Sequence, residues 1–103
     1  LLFRARSEVA LEFSGEVWRH PTVHGWHFVT VPAGVAEAIR ERSTPGGFGS
    51  VRVRATIGDT TWDTSVFPSS SDPDCYVLPV RAQVRRDEGA EAGALVDVTL
   101  VVP

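Results

Sequence analysis

One unit occurs twice in this chain, and it constrains the fold more than any other feature. In the first half "FVTVP" (Phe28–Pro32) runs into "AGVAEAIR" (Ala33–Arg40). In the second, "YVLP" (Tyr76–Pro79) runs into "VRAQVRR" (Val80–Arg86). Each half reads strand, loop, strand, proline, short helix, glycine-containing loop, strand, at an offset of about fifty residues. Two copies are too few for a solenoid, whose repeats each need neighbours on both sides. They predict a pseudo-twofold barrel made from a single chain, with Pro32 and Pro79 at equivalent strand-to-helix corners.

The strands follow from period-two patterning. From Glu8 to Trp18, Val9, Leu11, Phe13, Gly15 and Val17 alternate with Glu8, Ala10, Glu12, Ser14 and Glu16, the signature of a half-buried antiparallel strand. "WHFVTV" (Trp26–Val31) is the second strand. Pro32 stops it and suits the first turn of a helix, where no N–H partner is missed. Val35, Ala36 and Ile39 then give a helix from about Ala33 to Arg42 one apolar face. "SVRVRATI" and "TTWDTSVF" flank Gly58-Asp59, a two-residue hairpin link. "CYVL" and "ALVDVTLVV" complete the set at about six strands. In the second helical stretch Val80 and Val84 point to the core, and Arg81 and Arg85, also four apart, share the neighbouring face.

The bulk properties bound the function class. The 103 residues make one domain, read as 7–103 with a flexible end at 1–6. Net charge is −3, which disfavours a nucleic-acid role, since such modules carry a basic excess. A single cysteine, Cys75, permits no intrachain disulfide, and no apolar run reaches membrane-spanning length. The chain reads as cytoplasmic, a monomer or weak homo-oligomer, without a membrane partner.

The string "GWHFVTVP", "GGFGSVRVRATIG", "TTWDTSVFP", "CYVLPVRAQVRRDEG", "VDVTLVV" resembles the bacterial family known as domain of unknown function nineteen-oh-five, over Ser7 to Val102. That resemblance implies a small closed β-barrel of the double-split type with two short capping helices. It implies no known activity. One departure stands out: the family has Gly-Asp before its final strand, whereas Gly93 is followed here by Ala94 and Leu95. A second resemblance, of "LP", "VRR", "G" and "VDV" to the repeating unit of AbrB/MazE-type regulators, covers one half at a time and implies shared architecture.

Six residues are the ligand-binding candidates: Trp26, Trp62, Ser65, Tyr76, Arg81 and Arg85. Aromatic side chains with a few convergent polar groups make a small-ligand pocket; buried as core, the same aromatics would need no ligand. Arg81 and Arg85 would supply charge-assisted hydrogen bonds to an anion. Arg52, Arg54 and Thr56 form an exposed stripe that serves a phosphate backbone or simply discourages edge pairing. Ser65 is the serine an enzyme would use, but no nucleophile-elbow signature surrounds it. His20, His24 and His27 lie across Pro21 and Gly25 without acidic or cysteine partners, so no metal or cofactor is expected. The expected function is a non-enzymatic module binding a small anionic or aromatic ligand or a protein partner. An AbrB-like nucleic-acid-binding domain and an enzyme using Ser65 are the alternatives.

Overall fold

The computed structural model describes residues 9–43, 46 and 49–103, so Glu8 and the end at 1–6 lie outside the described residues. The order of elements is β1 (Ala10–Arg19), β2 (His27–Val31), α1 (Ala33–Glu41), β3 (Val51–Ile57), β4 (Thr60–Pro68), β5 (Tyr76–Pro79), α2 (Ala82–Glu88) and β6 (Leu95–Val101). The six strands close into an antiparallel barrel in the order β1-β2-β5-β4-β3-β6. Exchanging β1 with β4, β2 with β5 and β3 with β6 leaves every neighbour relation in that order unchanged.

Alternation puts the core inside. Val17, Val29, Val31, Leu78, Val98 and Leu100 are shut off from solvent, while Arg52, Arg54 and Asp97 on the intervening positions are exposed. Burying such a side chain contributes on the order of 1.5–3 kcal/mol. No polar or charged residue is buried among the described residues, so the interior needs no compensating hydrogen-bond network.

The barrel is not laced evenly. Strands β4 and β5 pair only at Phe67↔Val77 and Pro68↔Tyr76. Continuing the register would set Ser65 opposite Pro79, which has no N–H to donate, so the ladder ends there. Helix α2 lies beside this opening, with Val84 and the following Ala90 in the core. Strands β1 and β2 likewise pair only from Val17 to Arg19, and α1 packs against β1 with Ala36 and Ile39 fully buried.

The second corner sits two residues later than the sequence reading places it. Pro32 is the N-cap of α1, at φ −66°, ψ 159°. The residue in the same place before α2 is Arg81, at φ −71°, ψ 161°. Pro79 is instead the last residue of β5, paired with Phe28, and Val80 N–H extends that ladder to His27 O at 2.9 Å. Arg81 therefore precedes α2 while Arg85 lies within it, and the two do not form one helical face. Val80 and Val84 are both buried, as their spacing predicts.

Candidate functional site

A cleft of about 260 Å³ opens where β4 and β5 part, between the β1–β2 loop and the start of α2. Its lining includes Trp26, His27, Thr64, Pro79, Arg81 and Arg85. Three of the six candidates, Trp26, Arg81 and Arg85, are thus brought together. Their situations differ.

Trp26 is 53% exposed, and its indole N–H has no partner among the described residues. The ring is not loose on its stem. Its centroid is 5.8 Å from that of Phe28, which is in turn 5.0 Å from Trp18, within the range of aromatic pairs. Trp18 Nε1–H donates to Thr30 Oγ1 at 3.0 Å. The backbone of Trp26 is held as its carbonyl accepts from His20 N–H at 2.9 Å. His20 Nδ1 accepts from the N–H groups of Thr22 (3.1 Å) and Val23 (2.9 Å), which sets the shape of the loop.

His27 Nδ1 lies 3.0 Å from the carbonyl oxygen of Gly25. A carbonyl only accepts, so Nδ1 carries the proton and Nε2 of the neutral ring is the acceptor. Both of these histidines are thus engaged with loop backbone. Among the described residues no three His, Cys, Asp or Glu side chains gather into a metal-binding group.

The two arginines have separate duties. Arg85 Nη1–H donates to Val80 O at 2.7 Å, and its Nε lies 3.6 Å from Glu91 Oε1. Its side chain is only 15% exposed, and buried Nε makes no hydrogen bond. Arg85 ties α2 to the end of β5. Arg81 is exposed, and its side chain makes no hydrogen bond or ion pair among the described residues. It stands between this cleft and a smaller depression of about 190 Å³ that Trp62 and Asp87 also line.

The other three candidates lie elsewhere. Trp62 is 8% exposed and belongs to the core, with one edge reaching that smaller depression. Tyr76 is 3% exposed, with the Arg40 guanidinium 5.5 Å from the ring centroid. Ser65 faces outward on β4, 3.5 Å from Arg52 Nη1, on the side opposite the cleft-lining Thr64. Sequence reasoning missed Thr64 and the Trp18–Phe28 pair, and weighed His27 only as a metal ligand. The available signal was Trp18 itself, an aromatic on the polar side of the β1 alternation.

Compared with known families, the chain matches the model of the family described as Domain of unknown function (DUF1905) over residues 13–100. No curated protein matches it.

Proposed function

Because the chain belongs to the DUF1905 family, whose description names no activity, we propose a function from the cleft: a non-enzymatic binding module for a small ligand with an anionic group. One observation carries the reading. A half-exposed indole and an unpartnered guanidinium, Trp26 and Arg81, border the same cleft. An apolar wall with one convergent charge is the usual make-up of a small-ligand site.

The remaining polar groups support binding over the alternatives. Ser65 meets Arg52, and His20 and His27 meet backbone groups, so none of them forms a nucleophile–base pair. Among the described residues the arginines are dispersed. Arg54 is tied to Asp63 at 3.1 Å on the outer face of β3, away from Arg81 in the register of the sheet. A polyanion needs a contiguous basic track, which this distribution does not offer.

A thermal-shift screen of small carboxylates, sulfonates and phosphates tests the proposal. A ligand present at a hundred times its Kd stabilises by about 2.7 kcal/mol, enough to raise the melting temperature by several degrees in a domain of this size. The expected result is a set of anionic compounds that shift the wild type and fail to shift Arg81→Gln. If no compound shifts the wild type, or the shifts persist in Arg81→Gln, the proposal fails.

A further inference from the structure

Resting on that reading of the cleft, the geometry points to a particular ligand class: a flat aryl group bearing a single carboxylate. The argument is a count of charge and a match of shape.

Of the two cations at the cleft, only one is free. Arg85 spends Nη1 on Val80 O, and Glu91 Oε1 stands 3.6 Å from its Nε. That leaves the single positive charge of Arg81. Asp87 stands beside Arg81 along the neighbouring depression, so further negative charge meets opposition. A phosphate monoester carries about −1.5 to −2 at neutral pH, more than one guanidinium offsets. A carboxylate carries one charge, and its two coplanar oxygens match the guanidinium fork.

The apolar part of the ligand follows from the rest of the lining. Trp26 presents an indole backed by Phe28, and Pro79 adds a flat, rigid surface without a donor. The volume of about 260 Å³ is below the roughly 300–1,000 Å³ of drug-sized pockets, which suits one ring system and its head group. The free indole N–H of Trp26 and the hydroxyl of Thr64 remain for polar substituents.

The test compares phenylacetate, its neutral amide phenylacetamide, and phenyl phosphate by calorimetry at one ionic strength, with the Trp26 indole N–H followed by NMR. Phenylacetate is expected to bind about tenfold or more tighter than either of the others, a difference of about 1.4 kcal/mol. Arg81→Gln should erase its advantage over the amide, and Trp26→Leu should weaken both. Phenyl phosphate binding as tightly as phenylacetate overturns the carboxylate class and leaves the cleft reading standing. Phenylacetate binding unchanged in Arg81→Gln overturns the assignment of Arg81. No binding of any of the three, with the Trp26 resonance unmoved, overturns the class and counts against the cleft itself.

Discussion

Glu88, the last residue of α2, accepts a 2.6 Å hydrogen bond from Thr60 Oγ1, the first residue of β4. A carboxylate at a helix C-terminus faces the negative end of the helix dipole, so the helix itself does not favour Glu88 there. The contact with Thr60 is what gives it a role: it pins α2 across the opening between β4 and β5. Both residues are half-buried, and hydrogen bonds to a charged group contribute more than neutral ones. Thr60→Val should cost about 1–2 kcal/mol in urea denaturation at unchanged m. Glu88→Gln, which keeps an acceptor, should cost less. Equal stability of Thr60→Val and wild type would remove this hook from the account of the fold.

Gly58 makes the same junction sensitive from the other side. Its φ is +59°, and a Cβ built there would run into the Glu88 carboxylate. Gly89 has nearly the same φ, +64°, with nothing close to the added atom. Alanine at either position carries the left-handed penalty of about 1–2 kcal/mol. Gly58→Ala should exceed Gly89→Ala by about a further 1 kcal/mol, because Glu88 must leave Thr60. In a Glu88→Ala background that excess should vanish, and a chemical-denaturation cycle reads it directly.

Arg81 and Arg85 should separate cleanly in stability. Arg85→Met removes the donor to Val80 O at the end of β5 and should cost about 1–3 kcal/mol. Arg81→Met removes a side chain with no partner and should fall within about 0.5 kcal/mol of wild type. The reverse ranking would mean that the tether of α2 has been misassigned.

These contrasts bear on what the sequence makes legible. The barrel strands are readable because Val51, Val53, Ala55 and Ile57, and likewise Val96, Val98 and Leu100, obey a period fixed by backbone geometry alone. The hairpin at Gly58-Asp59 is readable for the same local reason. Pro79 misleads because proline both ends strands and opens helices, and only the partner Phe28 decides which it does here. The cleft is harder still. Trp26 and Arg81 are fifty-five positions apart, and they meet only because β2 and β5 pair antiparallel with Phe28 beside Pro79. Arg81 and Arg85 share a spacing that suggests equal roles, but one precedes the helix and the other is folded back onto Val80. Residue type gives the chemistry available; the register of distant strands decides which copies of it are free.

Cys75 supplies a pH dependence with a definite sign. Burial, then the thiol's hydrogen bond to Asp72 Oδ2 at 3.5 Å and the negative charges of Asp72 and Asp74, push its pKa above the ordinary 9.0, with Arg40 acting the other way. The folded chain therefore holds the thiol proton more tightly than the unfolded chain does. Below pH 9.0 both states keep that proton, and the contribution of Cys75 to stability is whole. As pH rises past 9.0 the unfolded thiol ionises first, so stability falls until the folded thiol also ionises at its higher pKa. Cys75→Ala lacks this loss, so its stability difference from wild type should shrink between pH 8 and pH 10.5, as read by urea denaturation across that range. Parallel curves for the two proteins would show that the thiol proton is held no more tightly in the fold than outside it.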